Sequence, residues 1–361
     1  PIPSGYAALN TTALPAATIP DGSAYFDTLL WTGDGASSTR EITGLSMENA
    51  PDWIWAKERN GGSSYALFDA VRGFGTNNVL KTNSTDTAGG SNGGYINSTS
   101  KSSITWAQGS SSAEFYDLNN KTYVAWCWDA GSSTVTNTDG TGTCQLRANP
   151  TAGFSIATFT GVGVAKSYGH GLNAAPEMII VKGINHSDGW SVYHSALGST
   201  KSVALNQTSA AYTSTVWDNT SPTNTVTRVG GDYRNTGNTN LILSFTSVAG
   251  YSAFGEYSGN SSTDGPFIYT GFRVAWLMIK NVTDNGWSWN IYDTTRDSTN
   301  ANNKLLRPDY AANEISAYAI DFLSNGFRLK WSDGAINHSG KDYIYAAFAE
   351  NPFQANGGLA R

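Results

Sequence analysis

Three stretches of this chain repeat one sequence pattern, and that repeat constrains the fold more than any single residue does. Copy one runs TGDG (32–35), Gly44-Leu45, PDWIWAK (51–57) and YALFD (65–69). Copy two runs TGVG (160–163), Gly171-Leu172, PEMIIVK (176–182) and WSVYH (190–194). Copy three runs SGNS (258–261), Gly271-Phe272, VAWLMIK (274–280) and WNIYD (289–293). Lys57, Lys182 and Lys280 fix the register. Each copy ends on a similar apolar run: YVAWCW (123–128), LILSF (241–245) and YIYAAF (343–348). A residue present in all three copies is expected to serve the fold. A catalytic residue is expected in one copy only.

The runs read as strands. Residues 52–57, 177–182 and 275–280 are apolar on both parities, so each is expected to be buried on both faces. The WSVYH and WNIYD runs alternate instead, which predicts a half-buried strand beside the central one. Charged residues are 14% of the chain, whereas Gly (39 residues) and aromatics (12%) are abundant. That balance predicts an all-β chain with enough apolar bulk to fold. No window of 12 or more residues shows a helical period. The expected fold is three tandem related β-sandwich modules, jelly-roll or lectin-like, with an extended N-terminal segment.

The expected boundaries are a lead-in over 1–25, module one over 26–130, a linker over 131–152, module two over 153–250, module three over 251–353 and a tail over 354–361. Modules two and three follow without a linker and are expected to pack as a continuous unit. The chain starts at Pro1, which suggests a portion of something longer.

Function classes narrow by charge and spacing. A net charge of −6 and the lack of Lys/Arg runs argue against nucleic acid. No apolar stretch approaches the ~20 residues of a membrane span. The four histidines, His170, His186, His194 and His338, show no metal-ligand spacing. Asp69 and Asp293 recur at one aligned position, with His194 between them, which favours a turn or cap role. Glu256, Glu314 and Glu350 stand near strand ends without an evident partner. No GxSxG elbow is present, and no cofactor is expected. Calcium is the one cation with candidate oxygen donors, at NTDGTG (137–142) and STDG (262–265), although neither has the full spacing of a calcium loop. Cys127 and Cys144 flank a Gly/Ser/Thr/Asp stretch and are candidates for a disulfide, which would imply an oxidising setting; the alternative is two unrelated reduced thiols. Trp287 and Trp289 alternate along one run and are the candidates for stacking on a sugar, although aromatic core filling competes with that role.

Longer runs carry a resemblance. GFSIATFTG (153–161), GHGLNAAPEMIIVK (169–182), DGPFIYTGFRVAWLMIKN (264–281), IDFLSNGFRLK (320–330) and YIYAAFAENPF (343–353), together with PSGYAALNTTALPAATI (3–19), resemble a repeat family of unassigned biochemistry. That family occurs in structural proteins of marine tailed phages, often downstream of a SPRY-type lectin-like domain. The chain departs from its pattern at Val274, often Pro there, and at Ser244 in a closing run. The resemblance implies a non-enzymatic virion component (tail fibre, appendage or capsid surface) in a virion or extracellular location. It would assemble with itself and with other virion proteins. The alternatives are an adhesin that binds host-cell glycans and, less favoured, a polysaccharide hydrolase with paired carboxyls.

Overall fold

The computed structural model describes residues 18–35, 39–89, 94–107 and 119–349. Residues 1–17 of the expected lead-in and the expected tail lie outside them. The fold is all-β, with strand over 45% and helix over 2%.

Three sheets share one pairing scheme, and the repeated runs build them. In copy one the order is a lead strand Phe26–Thr32, a closing strand Thr122–Trp128, a central strand Trp53–Glu58 and a fourth strand Ala66–Asp69. Copy two places Phe154–Thr160, Thr239–Phe245, Met178–Gly183 and Trp190–His194 in the same order. Copy three does so with Ser252–Ser258, Asp342–Ala349, Val274–Asn281 and Asn290–Asp293. All neighbours are antiparallel, and the registers agree. Trp53 sits opposite Trp128, Met178 opposite Phe245, and Trp276 opposite Phe348.

Side chains alternate across each sheet, so the central strands serve two cores. Trp53, Trp55, Met178, Ile180, Trp276 and Met278 share one cluster. Ile54 and Ala56 point the other way into a second core, and Ile179 and Val181 into a third. Further strands lie apart from these sheets: Arg40–Thr43, Ser103–Ala107 and Tyr95–Ser100 in copy one, the pair Lys166–Gly169 and Val226–Val229 in copy two, and Phe267–Tyr269, Gly326–Leu329, Ile315–Leu323 and Asn302–Leu305 in copy three.

The three like-paired sheets meet face to face at the centre. Trp53 of copy one packs on Phe154 of copy two at 5.5 Å between ring centres. Phe245 of copy two meets Phe348 of copy three at 6.3 Å, and Trp128 of copy one crosses Trp276 of copy three at 5.6 Å and 89°. Each copy therefore touches both others. The void left between them is about 10 Å³ and lined by apolar side chains, which offer a water none of the polar partners it needs. Four central indoles, Trp53, Trp55, Trp128 and Trp276, have no hydrogen-bond partner for Nε1 among the described residues. Each orphan costs about 1–3 kcal/mol. Burying an indole of roughly 200 Å² contributes about 5 kcal/mol, so the aromatic centre is still favourable.

Three expectations change. The stretch 131–152 is more than a linker: Val135–Asn137 and Cys144–Asn149 are strands that extend the second sheet beyond Phe154–Thr160. The fourth strands of copies two and three are buried on both faces rather than half-buried, because the central core covers one face and a further apolar layer covers the other. The candidate disulfide is not formed. Cys127 and Cys144 are free and buried, and they lie in different cores.

Candidate functional site

The recurrent polar residues are all buried, and their partners explain them. Lys57, Lys182 and Lys280 are the last inward-facing residues of the central strands, and each is fully buried. None forms a salt bridge with a carboxylate among the described residues; backbone carbonyls accept from each ammonium. Lys57 Nζ donates to Glu58 O and Gly61 O at 2.5 and 2.9 Å. Lys182 Nζ donates to Thr85 O and Asp188 O at 3.2 and 2.9 Å. Lys280 Nζ donates to Asn281 O and Trp287 O, both at 2.8 Å. Burial pushes all three amines down to about 8, because the charged form is poorly solvated there.

The residue two beyond each lysine joins one copy to another. Arg59 O accepts from Glu314 N of copy three at 2.7 Å, Ile184 O from Ala88 N of copy one at 2.7 Å, and Val282 O from Ala211 N of copy two at 3.0 Å. The pattern runs one-to-three, two-to-one and three-to-two, so it closes on itself. Aromatics at the start of the fourth strands follow the same cycle. Trp190 Nε1 donates to Lys81 O at 3.0 Å, and Trp289 Nε1 to Ala204 O at 2.9 Å.

The aligned Asp/His position ends each fourth strand. Asp69 Oδ1 accepts from Arg72 N, and Asp293 Oδ1 from Arg296 N; each carboxylate also pairs with that arginine's Nε. This is the expected turn role. His194 does the same work as a neutral ring: its Nδ1 accepts from Ala196 N, and its Nε2 bonds Tyr345 O of copy three. Burial lowers His194 to about 4. Trp126 Nε1 of copy one donates to Asp293 Oδ2 at 2.9 Å. Glu314 has partners that its sequence position did not reveal: Arg59 Nε and Nη2 at 3.0 Å each, and Arg296 Nη1 at 2.9 Å.

Of the expected stacking pair, Trp289 is closed to a sugar. Trp289 is 1% exposed and anchored on Ala204 as above. Trp287 is half-buried and packs over Gly334, where a Cβ would come within 2.2 Å of the indole. In the expected calcium segments, Asp264 pairs with Arg328 and Lys330, and Asp139 accepts from Asn137 Nδ2 at 2.7 Å.

Two surface depressions stand out among the described residues. The larger, about 690 Å³, is bordered by Thr141, Phe159, Lys166 and Tyr168, but the Tyr168 ring is buried against Phe159 at 4.0 Å. The second, about 470 Å³, lies where copy two meets copy three, lined by Asn206–Ser209, Asn285, Ser288, Asp309 and Tyr310. Asn206 and Asp309 hold their positions by a recurrent device. Trp190 N donates to Asn206 Oδ1 and Trp289 N to Asp309 Oδ1, as Tyr65 N does to Asn83 Oδ1. The next residue is Ser84, Gln207 or Tyr310, so only copy three places an aromatic there. Tyr310 is 61% exposed. Burial raises the Asp309 carboxyl to about 6. Aligning Asn83, Asn206 and Asp309 in the sequence would have exposed this difference.

The chain belongs to the DUF7483 family, described as a domain of unknown function, whose model matches residues 21–352. No curated protein and no solved structure matches the chain.

Proposed function

We propose that this chain is three tandem β-sandwich modules closed into one triangular unit, and that the unit is a non-enzymatic structural component of a phage particle. It would serve as a tail-fibre, appendage or capsid-surface protein, located in the virion. The observation that carries this reading is how the recurrent charged residues are used. Lys57, Lys182 and Lys280, and the Asp69, His194 and Asp293 position, bind backbone or neighbouring arginine inside the fold. Their chemistry is spent on rigidity. The sequence resemblance to phage structural repeats supplies the setting.

Self-association is part of the proposal, since virion proteins work as symmetric assemblies. Edge strands are the contact points, because their unpaired backbone groups can extend a sheet. The edge strand Phe267–Tyr269 exposes Phe267 at 39% and Tyr269 at 66%. Native mass measurement with electron microscopy tests this. The reading predicts a defined oligomer or filament. A monomer persisting at every accessible concentration contradicts it.

A further inference from the structure

We propose that the groove between copies two and three binds one pyranose ring of a neutral glycan, with Tyr310 as its stacking platform and Asn206, Asn285 and Asp309 as its hydrogen-bonding set. This is independent of the virion reading: a sugar site fits a structural protein and a free-standing one equally.

The groove has the chemistry a sugar needs. Its volume of about 470 Å³ lies in the usual range for small-ligand sites of about 300–1,000 Å³. A pyranose offers a C–H face and a rim of hydroxyls, each both donor and acceptor. Tyr310 offers an exposed ring at the rim, which can pack on the C–H face. Asn206 and Asn285 have their amide oxygens fixed by Trp190 N and Ala210 N. Those bonds orient each side chain, and neither Nδ2 has a hydrogen-bond partner among the described residues. Each can donate two hydrogen bonds. The Asp309 carboxylate is oriented by Trp289 N at 3.1 Å, and it keeps acceptor capacity for a sugar hydroxyl. No Lys or Arg lines the groove, which disfavours a phosphate, sulfate or sialic-acid ligand. The aromatic occurs in one copy of three, as expected of a functional rather than architectural residue.

The test is saturation-transfer NMR on the full chain with the methyl glycosides of glucose, galactose, mannose and N-acetylglucosamine, followed by a glycan array. At least one neutral sugar is expected to bind, and Tyr310→Ala to weaken it at least tenfold. Asn285→Ala should weaken it several-fold. Val164→Ala, 57% exposed and away from the groove, should leave binding unchanged. Near-ultraviolet circular dichroism checks that the variants stay folded; both Tyr310 and Asn285 are exposed. No binding across the panel and array overturns the proposal. So does binding that survives Tyr310→Ala and Asn285→Ala, which would put the sugar elsewhere, or binding confined to anionic glycans.

Discussion

Glu314→Gln is expected to loosen the junction between copies one and three. Its carboxylate takes two hydrogen bonds from Arg59 at 3.0 Å and one from Arg296 at 2.9 Å. The side chains of Glu314, Arg59 and Arg296 are 11%, 20% and 0% exposed. Removing one member of a buried ion pair costs about 3–5 kcal/mol. Arg59 can turn partly to water and Arg296 keeps Asp293, so the expected loss is near the lower end, about 3 kcal/mol. Arg59→Met should cost about 2 kcal/mol, within the range for hydrogen bonds to charged groups. The double variant should lose less than the sum, with a coupling of about 1–2 kcal/mol. The assay is guanidinium unfolding at pH 7, followed by tryptophan fluorescence. The acid limb gives a second reading. Burial alone raises the Glu314 carboxyl, but hydrogen bonds and charge from Arg59 and Arg296 outweigh it and hold it below its ordinary value near 4.5. A depressed carboxyl stabilises above its unfolded value, and that gain is lost as pH falls through its folded one. Strict additivity at pH 7, or single effects below about 0.5 kcal/mol, the usual scale for uncoupled surface changes, would refute the contact between copies one and three.

The remaining predictions concern buried groups. Lys57, Lys182 and Lys280 titrate near 8 when folded, against an ordinary 10.5. The unfolded chain therefore binds more protons between those values, and stability should rise with pH from about 8 toward 10. Denaturation midpoints at pH 7.5 and 9.5 check this, and Lys280→Met should reduce the rise by about a third. The two carbonyls bound by each lysine need only two N–H donors, so a neutral amine still satisfies them. Cys127 and Cys144 should not react with a thiol reagent in the native state. Burial raises both thiols, Cys144 to about 11, and the thiolate is the reactive form. Unfolding should release two reactive thiols without a reductant; a disulfide would release none.

What the sequence could reveal follows from the range of each interaction. The repeated runs located the central, fourth and closing strands of each copy, though not their shared pairing order, because alternation along a strand is local: Trp53 and Ile54 already declare two faces. The cap role of Asp69 and Asp293 was equally local, three residues from its arginine partner. The stretch 131–152 misled because its small polar residues read as a linker, although Cys144 and Leu146 bury into the copy-two core. The cysteines are 17 positions apart in the chain, which favours pairing on loop length alone, yet alternation sends them into separate cores. The closure of the three sheets was not legible. It depends on meetings such as Arg59 with Glu314, 255 positions apart, and no periodicity encodes those. The sequence could not show that Trp289 is closed to a sugar for a related reason: its indole is held by an adjacent copy, whereas Tyr310 lies outside the repeated runs.

Small-angle scattering on the monomer fraction, taken from an in-line sizing column, tests the closed arrangement most directly. A compact chain of 361 residues has a radius of gyration of about 21 Å by the size scaling of folded domains. Three separate units in a row, each about a third of the chain, would give about 30 Å by the same scaling. The closed arrangement predicts the smaller value, with a single-peaked distance distribution. A value near 30 Å with an extended tail would contradict it.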